Sequence, residues 1–314
     1  MIAVLSKILV IFTMILLGFI VCKAGILPFE SNKYLVNLLL LITTPCMIIS
    51  SMAGGDIHGE ALKQTLQVLV LSAVWFVVMS LFAFLFAKFM KRTPKEDLGV
   101  LMVIMVAMNS GFMGFPVTRA IFGDYLFLLM VIQNVSLNVY IYFIAPMQAN
   151  YGHSSSQTVK HVLVSLVNPA TIAVLVGMAL MFGGLTLPVP VMEFFTTVGD
   201  ATIPLSMIIV GIQLANSDFR GVFRNKDLLL TSGINIIGMP LLTFLLVNWL
   251  PLAPEVKTTL IFAAAFPCAV ASVGIISKEG RNASLAAEGV AVTTALSLIT
   301  LPIIATLLSS YYGL

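Results

Sequence analysis

Met108-Asn109-Ser110-Gly111-Phe112-Met113-Gly114-Phe115-Pro116 sets two glycines and a proline within six residues of an otherwise apolar run. A second interruption reads Ala263-Ala264-Ala265-Phe266-Pro267-Cys268, followed by small residues through Ala271, Ser272 and Gly274. Proline lacks a backbone donor and its ring clashes with the preceding turn, so each stretch predicts a helix broken partway along. Backbone groups freed at membrane depth are tolerated only where they are buried or line a wet cavity. Breakers at matching places in two halves of a chain point to a transporter's binding site. Two half-helix N-termini meeting there carry partial positive charge, which favours an anion such as a carboxylate. For either stretch alone, a plain proline kink is the alternative.

The surrounding composition fits only a lipid environment. The 314 residues are 60% hydrophobic and 9% charged, with a mean hydropathy of +1.08. Soluble domains carry roughly 25% charged residues, so this chain has too little charge to cover a water-facing surface. The net charge of +3 comes from short basic clusters, which speaks for membrane topology and against nucleic acid as a partner. Cys22, Cys46 and Cys268 all lie in apolar stretches, and His58, His153 and His161 are scattered, so no metal or cofactor is implied. The apolar run from Val4 to Val21 outlasts a signal peptide's core and precedes no A-x-A-like site, so it reads as a first span.

A spanning helix needs roughly 20 predominantly apolar residues. That criterion predicts ten segments, near 5–26, 34–53, 65–89, 98–122, 125–147, 162–183, 192–215, 228–250, 257–277 and 284–310. With the N-terminus outside, the odd-to-even breaks collect 12 of the 16 Lys and Arg residues, among them Lys88, Lys91, Arg92, Lys95, Lys160, Arg220, Arg224, Lys278 and Arg281. The second-to-third break carries Asp56 and Glu60 instead. By the positive-inside rule both termini are extracytoplasmic in the cell membrane.

The two halves echo each other. Gly18-x9-Pro28 returns as Gly177-x10-Pro188, and Thr43-Thr44-Pro45 before Met47-Ile48-Ile49 returns as Thr202-Ile203-Pro204 before Met207-Ile208-Ile209. Asn138-x7-Pro146 returns as Thr294-x7-Pro302. All offsets lie near half the chain. Five helices per half make the second half enter from the opposite side. The expected fold is an all-α polytopic membrane protein of ten transmembrane helices in two inverted repeats, 1–149 and 162–314, joined by a short cytoplasmic loop, 150–161. Segments 4 and 9 are its broken crossover helices.

Phe112-Met113-Gly114-Phe115-Pro116-Val117-x2-Ala120-Ile121-Phe122-Gly123, preceded by Asn109, resembles the fourth-helix signature of the auxin efflux carrier family. Gly199-Asp200-Ala201, Ala264-Ala265-Phe266-Pro267, Ser277-Lys278-Glu279 and Thr293-Thr294 to Leu301-Pro302 fit the same pattern in order, so the resemblance covers the whole chain. It implies a scaffold domain of helices 1, 2, 6 and 7, a transport domain of helices 3–5 and 8–10, a crossover at Pro116 and Pro267, and a homodimer. The long cytosolic loop of plant members is absent here.

These readings converge on an elevator-type secondary transporter for a small organic anion. The candidate substrate residues are Asn109, Ser110, Gly111, Gly114, Pro116, Gln133, Asn134, Asn138, Pro267, Cys268 and Ser272. Asn134 and Asn138 share a helical face and either bind substrate or join helices. Three residues are candidates for coupling. Asp200, read as lying near the outer end of its helix, is either functional or an interfacial cap. Glu60 and Lys63 match, by resemblance, an acid–base pair, and are otherwise an ordinary solvated helix end. Arg119 either neutralises an anion or snorkels outward. Three other readings stand beside this one. A sodium-coupled symporter like the bile-acid carriers needs more oxygen ligands than segment 9 offers. A non-transporting sensor has no need of two broken helices. A membrane aspartyl protease is excluded, because Thr197-Val198 precede Gly199-Asp200 where Gly-x-Gly-Asp is required.

Overall fold

A computed structural model describes residues 2–53, 59–90, 93–151, 169–216 and 225–314. The loop 150–161 lies outside the described residues from 152 onward, as do Asp56, His58, Lys91, Arg92, His153, Lys160, His161, Arg220 and Arg224. The described chain is helical, with one isolated antiparallel bridge between Met108 and Cys268. In chain order the helices are α1 (Ile2–Lys23), α2 (Asn32–Leu38), α3 (Thr44–Met52), α4 (Glu60–Ala87), α5 (Leu98–Val106), α6 (Phe115–Phe122), α7 (Asp124–Val139) and α8 (Ala145–Ala149). There follow α9 (Pro169–Phe182), α10 (Val189–Asp200), α11 (Thr202–Ala215), α12 (Lys226–Gly233), α13 (Met239–Val247), α14 (Pro254–Ala264), α15 (Ala271–Lys278) and α16 (Ala283–Tyr312).

Several of these join into longer apolar stretches. Six are long and apolar enough to cross a membrane: Phe29–Met52, Glu60–Ala87, Asp124–Ala149, Val189–Ala215, Lys226–Val247 and Ala283–Tyr312. Leu9–Lys23 and Pro169–Met181 are shorter apolar helices. The joints have a common cause. Wide π-turns at Leu39–Thr43, Ser110–Gly114, Tyr140–Ile144 and Ile234–Gly238 each end two residues before a proline: Pro45, Pro116, Pro146 and Pro240. The proline ring pushes away the carbonyl four residues back, and a turn bonded over five residues absorbs the displacement without ending the helix. The outward faces are apolar, as on α4, where Val70, Val74, Val77, Leu81 and Leu85 repeat every three or four residues and are all exposed. Such a stripe suits lipid and not water.

The chain folds as two compact units. The first comprises Met1–Gln67, Gly111–Ile132 and Val167–Asn216. Its helices approach through glycines: a Cβ on Gly18 of α1 would lie 2.2 Å from Ile208 O, and one on Gly211 of α11 would lie 2.0 Å from Ile15 O. Between membrane helices there is little hydrophobic drive, so close backbone packing at small residues holds the pair together. Gly177 of α9 and Gly199 of α10 meet Met52 and Met47 of α3 in the same way.

The second unit comprises Val68–Ser110, Gln133–Leu166 and Ser217–Leu314. Its centre is α5, every residue of which is buried, as expected for a helix apolar on all sides. Gly99 sits against Gln148 O and Gly289 of α16 against the Ile104 side chain. Trp75 Nε1 donates to Thr243 Oγ1 at 2.7 Å, and Phe76 stacks on Tyr140 with centroids 4.9 Å apart. At one end, Asn150 donates to Glu279 and accepts from Arg281, which ties α8 to the turn after α15.

Candidate substrate site at the helix crossing

The second unit contains a crossing of two interrupted helices. α5 stops at Val106, Ala107 turns extended (ψ 102°) and Met108 pairs with Cys268. Asn109 N–H donates to Pro267 O at 2.8 Å, and Ala269 N–H donates to Ala107 O at 2.9 Å. Met108 and Cys268 are buried, so this one rung satisfies backbone groups that neither water nor a helix can reach. The interruption in segment 4 thus falls upstream of the glycine–proline cluster. Pro116 occupies the first turn of α6, because the π-turn before it absorbs its missing donor. Pro267, by contrast, lies in the crossing itself.

Side chains from neighbouring helices cap what the broken ends leave open. A helix end orphans its last carbonyls, and Asn235 Nδ2 donates to Met105 O at 3.0 Å. Cys268 N–H donates to Thr293 Oγ1 at 3.1 Å. Ser272 Oγ donates to Ala269 O at 2.6 Å and lies 3.3 Å from Cys268 Sγ. Thr293 was legible only through family resemblance. Asn235 was missed, although a lone amide in the apolar run Ile234–Gly238 was available as a signal.

Several candidate residues gather on this crossing. Asn134 Nδ2 donates to Ser110 Oγ at 3.2 Å, Asn138 Nδ2 to Asn134 Oδ1 at 3.4 Å, and Gln133 Nε2 to Met108 Sδ at 3.3 Å. Asn109 is buried, and its side-chain amide has no hydrogen-bond partner among the described residues. Gln133 Oε1 and Asn235 Oδ1 are buried acceptors that no donor reaches. Among the described residues, no side chain bonded to the crossing is a carboxylate. Glu288 of α16 stands five residues before Thr293, about 140° around the helix.

The remaining candidates belong to the first unit. Gly111 is half-buried, while Gly114 and Pro116 are buried. Arg119 of α6 donates through Nε to Asp124 at 2.8 Å and through Nη1 to Asp200 at 2.9 Å. Two carboxylates therefore engage the guanidinium. Asp200 closes α10 and stands mid-way along the stretch Val189–Ala215, farther from its end than the sequence suggested, because Thr202 resumes the helix after one residue. Thr118 and Thr202 nearby in sequence keep buried hydroxyls without partners. Glu60 and Lys63 pair at 3.1 Å with both side chains more than half exposed.

A polytopic helical protein whose helices are interrupted and crossed in its buried interior has the build of a membrane transporter. Residues 3–305 match the family described as membrane transport protein, and the chain belongs to that auxin-efflux-carrier-like family. It is similar to an uncharacterized transporter of Methanocaldococcus jannaschii, 22% identical over 95% of this chain and 96% of the relative. An uncharacterized transporter of Methanothermobacter thermautotrophicus is 23% identical over the same shares.

Proposed function

We propose that the protein is a secondary active transporter carrying a small organic anion, a mono- or dicarboxylate, across the cell membrane by elevator-type alternating access. The observation that carries this reading is the buried crossing at Met108 and Cys268, surrounded by the amides of Asn109, Gln133 and Asn134 and the hydroxyls of Ser110 and Ser272, with no carboxylate among the described residues bonded to it. Such a place repels no anion and offers donors to carboxylate oxygens, each charge-assisted hydrogen bond contributing roughly 1.5–3 kcal/mol. Asn109 is the leading donor, because its amide has no partner to give up.

The crossing also supports two inverted five-helix repeats, while the Lys and Arg bias of the breaks supports extracytoplasmic termini. Ala107 and Pro267, Met108 and Cys268, and Asn109 and Ala269 are each 160 positions apart. Exchanging the halves at that offset turns the Asn109-to-Pro267 hydrogen bond into the Ala269-to-Ala107 one. A two-fold axis through the bridge has this effect. In the first unit Gly18 meets Gly211, and Gly177 meets Met52. Shifted by 159, Gly18 becomes Gly177 and Met52 becomes Gly211, so the two contacts are also exchange partners. Among the described residues, six long apolar helices, two shorter ones and the two interrupted segments are consistent with ten spans. Helices 1, 2, 6 and 7 cluster in the first unit, which supports a scaffold, and most of helices 3–5 and 8–10 cluster in the second, which supports a transport domain.

A sodium-coupled carrier draws on one observation, the unpartnered buried oxygens of Gln133 and Asn235, since hard cations take oxygen ligands. Proteoliposome flux of labelled carboxylates, with and without sodium, separates the two. The anion reading expects uptake of a carboxylate but not of its uncharged amide, and loss of that preference when Asn109 and Asn138 become Leu. Transport of organic cations with no carboxylate flux refutes it.

A further inference from the structure

A groove of about 550 Å³ opens on the second unit between α13 and α16, and Ile261 of α14 forms its floor. Pro240, Leu241 and Phe244 line one wall, and Ile303, Leu307 and Leu308 the other. Leu241, Ile303 and Leu307 are more than half exposed, so the groove faces the surroundings of two membrane-crossing stretches, Lys226–Val247 and Ala283–Tyr312. The wide turn at Ile234–Gly238 before Pro240, and Pro302 within α16, bend the two walls.

We propose that this groove is a binding site for one acyl chain of a bilayer phospholipid. Its length along α16, from Thr300 to Tyr311, is roughly 16 Å at the helical rise, close to the ~15 Å hydrocarbon depth of one leaflet. An extended hydrocarbon chain matches both that length and the apolar lining of the slot. Water does not fill an apolar groove, and an empty one forfeits the dispersion contacts of its walls.

One end of the groove supplies a place for the headgroup. Tyr311 packs edge-on against Phe244 at 5.6 Å, with its hydroxyl 3.5 Å from Asn248 Nδ2. Tyr312 donates to Asn248 Oδ1 at 3.2 Å, Lys257 Nζ donates to Asn248 O at 2.9 Å, and Trp249 is largely exposed. Trp, Tyr and Lys together mark a membrane–water interface. Glu255 in the first turn of α14 shares this end with Lys257, so the acyl chain, not headgroup charge, defines the ligand. This site is independent of the crossing and of the substrate proposed for it.

The test is native mass spectrometry of the detergent-purified full chain, followed by titration with palmitoyl-oleoyl phosphatidylglycerol. Wild type is expected to retain one phospholipid. Ile303→Trp and Leu241→Trp, which fill the slot from opposite walls, are expected to weaken lipid binding at least tenfold. Val70→Trp, on a lipid-facing stripe of α4, is expected to leave it unchanged, and glycerophosphoglycerol without acyl chains is expected not to bind. Equal retention by wild type and both slot variants overturns the proposal. So does equal binding of the deacylated headgroup, or a slot variant that changes oligomeric state but not lipid retention.

Discussion

Thr293 is the residue on which the crossing can be tested most directly. Its hydroxyl accepts the Cys268 N–H at 3.1 Å, and both residues are fully buried. Thr293→Val keeps the shape and removes the acceptor. The loss of the bond from Thr293 Oγ1 to Gly289 O costs little, because that carbonyl remains in the helix ladder of α16. The Cys268 N–H, however, has no water to turn to, and leaving a buried donor unmet costs about 1–3 kcal/mol. At about 2 kcal/mol the local opening of the crossing becomes roughly thirty-fold more frequent. Amide hydrogen exchange of a peptide covering Phe266 to Ala271 reads this opening. Exchange there is expected to accelerate about thirty-fold in Thr293→Val and to return toward wild type in Thr293→Ser, which restores a hydroxyl. Thr294→Val, beside it on α16 with no bond to the crossing, serves as the control. Unchanged exchange in Thr293→Val, or equal acceleration in Thr294→Val, refutes the idea that this hydroxyl holds the interrupted helix.

The other predictions concern the halves and their joints. Gly211→Ala is expected to lower the yield and melting temperature of the purified protein, because its Cβ would sit 2.0 Å from Ile15 O, whereas Gly238→Ala, whose nearest neighbour is a flexible Ile234 methyl at 3.4 Å, is expected to be tolerated. Pro267→Leu is expected to cut flux more than abundance, since the proline shapes the crossing and not a packed core; equal losses contradict that. A double-mutant cycle on Arg119 and Asp200 is expected to give a coupling below about 1 kcal/mol, as the carboxylate is 59% exposed and exposed pairs are worth little; a larger melting-temperature coupling shows a dry interaction. A periplasmic-type reporter fused after Leu314 is expected to be active, and activity of a cytoplasmic reporter at the same place contradicts the inverted topology.

Most of the secondary structure was legible because lipid imposes a simple rule. Apolar length separates the spans, and it located all six long ones and both shorter helices, although two long ones, Phe29–Met52 and Glu60–Ala87, begin about a helical turn earlier than expected. The broken character of segments 4 and 9 was legible from Gly111, Gly114, Pro116 and Pro267. The position of the first break was not, since a proline can be absorbed by a π-turn as well as by an interruption, and both leave the same residues in the sequence. The family was legible in the run Phe112–Gly123. The nearness of Pro190 suggests an outer helix end for Asp200, whereas the resumption of the helix at Thr202 puts it mid-way along Val189–Ala215.

The order of residues alone shows that the chain lives in lipid, where its apolar runs lie, and that two of them carry helix breakers. Composition and proline's missing donor act within a few residues and are legible locally, although at Pro116 a π-turn absorbs the missing donor and the break falls upstream at Ala107. Folding, by contrast, is what pairs Met108 with Cys268, sets Asn235 and Thr293 against the broken ends, and joins Arg119 to Asp124 and Asp200. Each of these satisfies an orphaned polar group or charge with a partner far away in sequence. Local propensity cannot name that partner, because the cost of an unmet hydrogen bond arises only once packing has excluded water.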